Sequence, residues 1–427
     1  MVDEIARLDV DPVHARVYEH GWQSWSPSTT YPADATSWRA SGDLSARQHY
    51  RIGRPQPPHG FQGEGLLVVD DGAGTTTCFA AESPDRIPSV TARLDGGTLV
   101  VASGEPVAVT TAPDIATALT DFGDRFAAAA GAGPFRTPPT VWCSWYHYFT
   151  RVTEADVVEN LDALDEAGLP VEVVQIDDGW QSKVGDWLTV SDRFESLRGI
   201  ASRIAATGRR AGIWLAPFLT LPDSALARRH PDWLLPGAAG HNWGAETRGV
   251  DPYAASGYLT DVFTMLREAG FDYFKLDFLY AGAIGGIGAY RDGMAHIRRV
   301  VGDDAYLLAC GAPVLPSVGL CDAMRIGPDI ATRYAPRDGD PSTPSQQGAV
   351  MNTLGRAWQH GRFWVNDSDC VVARPAVERR EEWADVVERF GGLRSASDRI
   401  ADLDDWGLET TRRLLTHVPA PTPFPSA

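Results

Sequence analysis

The chain has 427 residues, more than one hydrophobic core usually supports, so we expect one large domain and one smaller one. Its formal net charge of −18 argues against a nucleic-acid partner, because binding a phosphate backbone requires clustered Lys and Arg. The cysteines contain no CxxC pair and no zinc-type spacing, so we expect neither a disulfide framework nor a metal site. They are Cys78, Cys143, Cys310, Cys321 and Cys370.

The N-terminal segment Met1 to Val10 is interrupted by Asp3, Glu4 and Asp9 and has no apolar stretch typical of a signal peptide. No window reaches the roughly 18 apolar residues that a membrane span needs. We therefore expect a cytoplasmic protein without a membrane partner. The sequence does not specify an oligomeric state.

Residues 1–135 are predicted to form an antiparallel β-sandwich domain. Short β-like runs alternate there with turn signals, for example Gly65 to Val69, Thr75 to Ala80 and Thr98 to Ser103. Pro138 and Pro139 then interrupt the chain, and the pattern changes to strands alternating with amphipathic helices. The change marks a domain boundary.

Residues 136–400 are predicted to form a (β/α)8 barrel, because eight strand-like runs alternate with helical ones. The runs are 141–149, 171–176, 211–217, 271–276, 305–310, 323–326, 362–366 and, more weakly, 390–395. An open doubly wound sheet is the alternative, but no glycine-rich phosphate fingerprint follows any strand. Residues 401–427 are predicted to form one helix and an irregular Pro-rich tail.

In such a barrel the active site lies at the carboxyl ends of the strands, so polar residues that close apolar runs are the candidates. Taken in strand order, they are Trp145, Tyr146 and His147; Asp177 and Asp178; Trp214; Lys275 and Asp277; Cys310 and Gly311; Arg325 and Asp329; and Asn366, Asp367 and Asp369. The set is rich in carboxylates and contains one His. Carboxylates can bind sugar hydroxyls and stabilise an oxocarbenium-like transition state, whereas clustered Asp that binds a metal usually has His beside it.

Lys275 and Asp277 are two residues apart in DYFKLDF, so both side chains are predicted to face the barrel mouth. A cation beside the Asp277 carboxylate would keep it ionised, as a nucleophile requires. In RIGPD, Gly327 and Pro328 could turn the chain so that Asp329 faces Asp277 as a proton donor. A purely structural role remains open for each motif by itself.

Six motifs occur in a fixed order: VWCSWYHYF, QIDDGWQ, GIWLAPF, FKLDF, CGAPVLPSVGLCDAMRIGPD and WVNDSDC. Together they resemble the melibiase-type α-galactosidases of glycoside hydrolase family 36. The resemblance covers residues 138 to 398. GWQSWSP, Gly21 to Pro27, is similar to the tryptophan motif of that family's N-terminal β domain, which contributes an aromatic residue to the sugar pocket.

The resemblance implies that Asp277 is the nucleophile and Asp329 the general acid/base of a retaining hydrolase of melibiose- or raffinose-type α-galactosides. It places sugar hydroxyl contacts on Asp177 and Asp178. It implies apolar walls from Trp25 and Trp214, and no cofactor. Further substrate-binding residues expected around the same ring are Lys275, Cys310, Gly311 and Arg325.

The sequence departs from the family in two features. About 130 residues precede the barrel and few follow it, where family members carry longer flanking β domains. Ser368 stands where Pro is expected. Two other functions stay open: galactosyl transfer on the same scaffold, and a sugar-binding pseudoenzyme. The presence of both Asp277 and Asp329 counts against the second.

Overall fold

The computed structural model describes residues 3–40 and 42–424. Met1 and Val2, which belong to the segment inspected for a leader peptide, and residues 425–427 of the Pro-rich tail lie outside the described residues.

The first domain is an antiparallel β-sandwich followed by a long helix. Its elements are β1 (Asp3–Asp9), β2 (Arg16–Glu19), β3 (Thr29–Pro32), α1 (Asp43–His49), β4 (Phe61–Glu64), β5 (Leu66–Asp70), β6 (Thr76–Ala80), β7 (Ser89–Asp95), β8 (Thr98–Ser103), β9 (Ala108–Ala112) and α2 (Ile115–Ala130). One sheet has the order β1-β8-β7-β4 and the other β3-β2-β5-β6-β9. Val17, Phe61, Leu67, Phe79 and Leu99 belong to the apolar cluster between the sheets. Alternation of buried and half-buried residues along β8 places one of its faces in this cluster, as expected for a sandwich.

The second part is a parallel barrel with one inserted antiparallel sheet. Its strands are β10 (Thr140–Cys143), β11 (Val173–Ile176), β12 (Arg210–Leu215), β13 (Leu219–Thr220), β14 (Gly240–Asn242), β15 (Ala245–Gly249), β16 (Phe271–Leu276), β17 (Tyr306–Ala309), β18 (Ala323–Arg325), β19 (Val365–Asp367) and β20 (Arg394–Ala396). Eight of them pair in parallel in the order β19-β18-β17-β16-β12-β11-β10-β20. The Leu393 amide donates to the Asn366 carbonyl at 2.9 Å, which brings the two end strands together. The predicted fold class is confirmed.

Helices lie between the barrel strands along the chain, and one more helix follows the last strand. They are α3 (Trp145–Tyr148), α4 (Glu154–Glu166), α5 (Leu197–Ala206), α6 (Ala225–Arg229), α7 (Ser256–Ala269), α8 (Ile287–Val301), α9 (Gln346–Gly355), α10 (Arg380–Phe390) and α11 (Asp405–Thr416). A capping box begins α4, with Thr153 and Asp156 exchanging side-chain-to-backbone hydrogen bonds, and the Thr-x-x-Asp pattern that encodes it is local. Over the described ranges, no helix combines the length and the apolar character needed to cross a bilayer. Residues 418–424 form neither helix nor strand, but Phe424 stacks on His360 at 3.9 Å.

The first barrel strand is shorter than predicted. The aromatic run after Cys143 suggested a strand to Phe149, whereas Trp145 begins the short helix α3. The Ser144 amide still donates to the Gln175 carbonyl of the neighbouring strand. The Tyr146 amide instead donates to a side chain, the hydroxyl of Ser397. The chain therefore leaves the sheet at Ser144.

The barrel interior below the mouth is filled by side chains from successive strands. The rings of Tyr273 and Tyr306 stack there with centroids 5.6 Å apart. Gly212 on the neighbouring strand makes room for them, because a Cβ at that position would lie 2.9 Å from the Tyr273 ring. The filled interior is a packed floor, so a ligand can reach the barrel only from its upper end.

Arg356 joins the two domains. Its guanidinium is fully buried and donates to the backbone carbonyls of Gln23, Ser24 and Ser26 in the first domain at 2.6–3.0 Å. It also donates to the Ile326 carbonyl of the barrel at 2.7 Å. No carboxylate pairs with it among the described residues, and burial lowers its pKa to about 10. Arg356 therefore fixes the loop 21–27 through neutral acceptors.

Replacing Arg356 with Ala should destabilise the protein by on the order of 3–5 kcal/mol, because buried carbonyls of both domains lose their donor. Denaturant unfolding followed by circular dichroism measures the effect. Arg7→Ala is the control, since this exposed arginine pairs with the exposed Glu4 and its loss should cost less than about 1 kcal/mol. Equal losses in the two variants would contradict the role assigned to Arg356.

Candidate active site

A cavity of about 350 Å³ lies at the carboxyl ends of the barrel strands and is closed on one side by the first domain. Its lining combines carboxylates with aromatic rings, as expected for a small polar ligand with apolar faces. The lining residues are Trp25, Gln48, His49, Trp145, Thr150, Asp177, Asp178, Trp214, Asn242, Trp243, Asp277, Phe278, Pro328, Asp329, Ser342 and Pro344.

Asp277 follows β16 and is held rigidly. Its Oδ2 accepts the Trp214 indole N–H at 3.0 Å, and its Oδ1 accepts the Phe278 amide at 2.8 Å. Phe278 has a φ of 51°, a left-handed conformation that is costly for a bulky residue. Burial raises the pKa of Asp277; the Lys275 charge lowers it, and the nearby Asp329 carboxylate raises it further. The carboxylate has one fixed orientation in the cavity.

Lys275 does not lie where the sequence suggested. Its ammonium donates to Oδ2 of Asp177 at 2.9 Å, and it lies below the cavity with 3% of its surface exposed. Gln175 donates to the same Asp177 oxygen at 2.6 Å, while the Asp178 amide donates to Oδ1 at 2.9 Å. Lys275 therefore pairs directly with Asp177 and influences Asp277 only through its charge.

The carboxylate of Asp178 accepts fewer hydrogen bonds than that of Asp177. Gln181 donates to its Oδ1 at 2.6 Å and Trp243 to its Oδ2 at 2.7 Å. Its pKa is raised to about 6, chiefly by burial; the two hydrogen bonds lower the pKa, and the charges of Asp177 and Asp277 raise it. Each oxygen of an ionised Asp178 keeps one further acceptor position.

Asp329 lies beyond β18 and is the more exposed of the two proposed catalytic carboxyls, with 28% of its side chain accessible. Arg325 donates to Oδ1 at 2.9 Å, and the Trp145 indole N–H donates to Oδ2 at 3.2 Å. Because Asp329 and Asp277 line the same cavity, a ligand between them would contact both carboxyls.

Arg325 itself is buried and is shared among three carboxylates. Besides Asp329, it binds Asp367 at 3.2 Å and Asp369 at 2.7 Å. Asp369 has a φ of 101° and accepts the Tyr146 hydroxyl; burial raises its pKa and the charge of Arg325 lowers it. Arg325 is a support for Asp329 and does not line the cavity.

The loop 21–27 brings Trp25 into the barrel mouth. Its ring contacts Phe278 edge to face, with centroids 5.1 Å apart. Gly311 lies directly behind the indole, since a Cβ there would come within 2.8 Å of the ring. Cys310 is fully buried and hydrogen-bonds to Asp277, which lowers the pKa of that carboxyl. Trp25 and Trp214 line the cavity, whereas Cys310 and Gly311 lie behind it.

The lining residues that were not anticipated from the sequence include two adjacent pairs. Gln48 and His49 come from α1 of the first domain, and Asn242 and Trp243 come from the hairpin between β12 and β16. The Asn-Trp-Gly turn in that connection was the only local signal. His147, a candidate after the first strand, does not line the cavity and lies 3.4 Å from Asp402.

The cavity presents two carboxyl groups to one ligand: Asp277, which is buried and oriented, and Asp329, which is partly exposed. The first can attack an electrophilic carbon and the second can exchange protons with a leaving group or water. The acceptors of Asp177 and Asp178 are suited to neighbouring hydroxyl groups, and the rings of Trp25 and Trp214 to an apolar sugar face.

Comparison with known proteins points to one family. The Melibiase family model matches residues 135–294. An α-galactosidase from Thermus thermophilus, solved with p-nitrophenyl α-D-galactopyranoside, superposes with a TM-score of 0.84 at 28% identity over 97% of this chain and 92% of that chain. Its stachyose complex gives a TM-score of 0.83 at 30% identity over 95% and 91% of the two chains.

The α-galactosidase AgaA of Geobacillus stearothermophilus is 30% identical over 115 residues, which make up 25% of this chain and only 16% of that relative. The crystal structure of AgaA, a family 36 enzyme, shares the fold with a TM-score of 0.65 at 15% identity over 96% of this chain and 61% of that chain. This chain therefore matches the Thermus protein over nearly its whole length, but the curated relative only over a short segment.

The raised pKa of Asp178 predicts a pH-dependent stability. The folded state holds the proton more tightly than the unfolded state, so stability should fall as pH rises from about 4 to about 6. The shift from 3.8 to about 6 corresponds to at most about 3 kcal/mol. Between acidic and neutral pH, the free energy of unfolding of the wild type should fall by up to this amount relative to that of Asp178→Asn. Denaturant unfolding measures the difference. The exposed Asp192→Asn should follow wild type, and a constant difference for Asp178→Asn would refute the assignment.

Proposed function

Since the chain belongs to the melibiase family of α-galactosidases, we propose that it hydrolyses terminal α-linked galactose from oligosaccharides with retention of configuration. The observation that carries the proposal is the pair Asp277 and Asp329 on one cavity that also presents Asp177 and Asp178. The bound galactosides of the Thermus enzyme support the substrate class.

In the first step, Asp277 attacks the anomeric carbon as the bond to the leaving oxygen breaks, and Asp329 gives its proton to that oxygen. The product is a β-galactosyl ester of Asp277. Trp214 and the Phe278 amide hold the attacking carboxylate. Arg325 and Trp145 hold Asp329.

In the second step, Asp329 takes a proton from water, the water oxygen bonds to the anomeric carbon, and the ester bond to Asp277 breaks. Two inversions return the α configuration. The greater exposure of Asp329 supports this division of roles, because the same group must meet both the leaving group and water.

We further propose that the protein works in the cytoplasm. All five cysteines are free and buried. Unpaired cysteines are typical of a reducing compartment, which supports this location.

The protein should hydrolyse p-nitrophenyl α-galactoside at least about 10²-fold faster, by kcat/KM, than the α-glucoside, because an equatorial 4-hydroxyl would leave buried acceptors unpaired. The α-N-acetylgalactosaminide tests whether the pocket admits a larger group at carbon 2. Release of p-nitrophenol gives the rates. A preference for the glucoside would overturn the galactoside proposal.

The variant Asp277→Ala should lose activity on every substrate, by a factor on the order of 10⁴ or more. No covalent intermediate forms without this carboxylate, so a good leaving group cannot restore the reaction. If azide rescues this variant, the product should be the β-azide, because azide then replaces the nucleophile in a single inversion. Asp223→Ala, at an exposed carboxylate, is the control and should behave as wild type.

The variant Asp329→Ala should keep part of the first step on activated aryl galactosides, whose phenolate leaves without protonation, and lose turnover of natural sugars. Azide should restore turnover of the aryl substrate, since it needs no general base, and should give the α-azide by double displacement. Nuclear magnetic resonance identifies the anomer. A β-azide from this variant would mean that the two roles are reversed.

A further inference from the structure

The hairpin of β14 and β15 ends in a two-residue turn whose first residue is Trp243. Asn242 pairs with Ala245, and Trp243 and Gly244 have φ values of 51° and 75°. Such a turn favours Asn or Gly at both central positions, because both are left-handed. A tryptophan there is conformationally unfavourable, by about 1–3 kcal/mol. The contacts of its side chain must offset this cost.

The indole of Trp243 reaches into the cavity and contacts the site on two sides. Its Nε1–H donates to Oδ2 of Asp178 at 2.7 Å. Its ring lies 5.1 Å from Phe278 and 6.5 Å from Trp214, the two residues that hold Asp277. Trp243 therefore contacts both Asp178, which can accept from sugar hydroxyl groups, and the two residues that hold Asp277 in place.

The first domain stabilises this hairpin from behind. Arg47 of α1 donates to the Ala238 carbonyl at 3.1 Å, and Tyr280 donates to the Ala239 carbonyl at 2.9 Å. Gly240 packs closely on α1, since a Cβ there would lie 3.2 Å from the Gln48 side chain. The hairpin is thus held between α1 and the barrel, and its tip has a defined position.

The hydrogen bonds of the two neighbouring carboxylates differ. Oδ2 of Asp177 accepts from both Lys275 and Gln175, whereas each oxygen of Asp178 accepts from one side chain among the described residues. A carboxylate oxygen has about two acceptor positions, so Asp178 keeps one on each oxygen. Their directions depend on the plane of the carboxylate, which Trp243 and Gln181 fix.

We propose that Trp243 is a specificity-determining positioning residue, whose indole N–H orients Asp178 so that its two remaining acceptor positions meet hydroxyl groups of the terminal sugar. The proposal rests on the galactoside specificity proposed above but not on hydrolysis. Without the N–H, the carboxylate of Asp178 can rotate. The protein should then bind a sugar that carries those hydroxyl groups less selectively over one that lacks them.

The experiment measures binding of galactose, 4-deoxygalactose and 6-deoxygalactose by calorimetry in wild type and Trp243→Phe. Phenylalanine keeps an aromatic ring and removes the N–H. Galactose affinity should fall by about 10-fold or more, as for loss of a hydrogen bond to a charged group. At least one deoxy sugar lacks a hydroxyl bound by Asp178, and the affinity for that sugar should fall less than about 3-fold in Trp243→Phe. The preference for galactose should shrink accordingly.

A matched control and an isosteric variant make the result decisive. His241→Gln changes an exposed residue on the same hairpin and should leave all three affinities unchanged. Benzothienylalanine at position 243, in which sulfur replaces the indole N–H, keeps the shape of tryptophan and should reproduce the effect of Trp243→Phe even if the latter folds poorly.

An equal loss of affinity for all three sugars, or an unchanged affinity for galactose, would overturn the role of Trp243. So would a wild type that binds no galactose. If instead the binding pattern is as expected while wild type fails to hydrolyse any α-galactoside, the proposed function fails and the role of Trp243 in sugar recognition stands.

Discussion

Lys275 and Arg325 are two buried cations around which the carboxylates of the barrel mouth are arranged. Lys275 pairs with Asp177, while Arg325 contacts Asp329, Asp367 and Asp369. Ionised carboxylates this close together repel one another unless fixed cations compensate them. Removing either cation would leave buried charge unpaired, which is among the costliest changes a protein can undergo. The geometry of Asp277 and Asp178, which contact neither cation directly, depends on this balance.

Much of the fold could be predicted from the sequence because the apolar runs of its strands and the start signals of its helices are local patterns. The run Phe271 to Leu276 is a buried strand with the predicted bounds, and the capping box at Thr153 starts a helix. The error at Trp145 has a long-range cause, since the Tyr146 amide donates its hydrogen bond to the hydroxyl of Ser397, 251 residues away. Aromatic residues favour strands locally, and only the tertiary contact decides otherwise.

The candidate site was predictable where each residue follows a strand, and less so where the site depends on contacts between distant segments. Asp177, Asp178, Asp277 and Asp329 all line the cavity. The ion pair of Lys275 with Asp177 could not be derived from the sequence, because an alternating strand pattern gives the face of a side chain but not its neighbour on the next strand. Trp243 could not be found, since the Asn-Trp-Gly turn indicates only a hairpin and not that its tip reaches a carboxylate 65 positions earlier in the chain.

Two domains build one cavity, because Trp25, Gln48 and His49 come from the sandwich and the carboxylates come from the barrel. A ligand that contacts both halves binds only when they are docked, so its binding energy adds to the free energy of docking. The coupling is reciprocal. Saturating ligand should therefore suppress local opening of the junction around Arg356, while the filled floor beneath Tyr273 and Tyr306 should stay insensitive to ligand. Occupancy of the sugar site is thus also a measure of how tightly the two domains are closed.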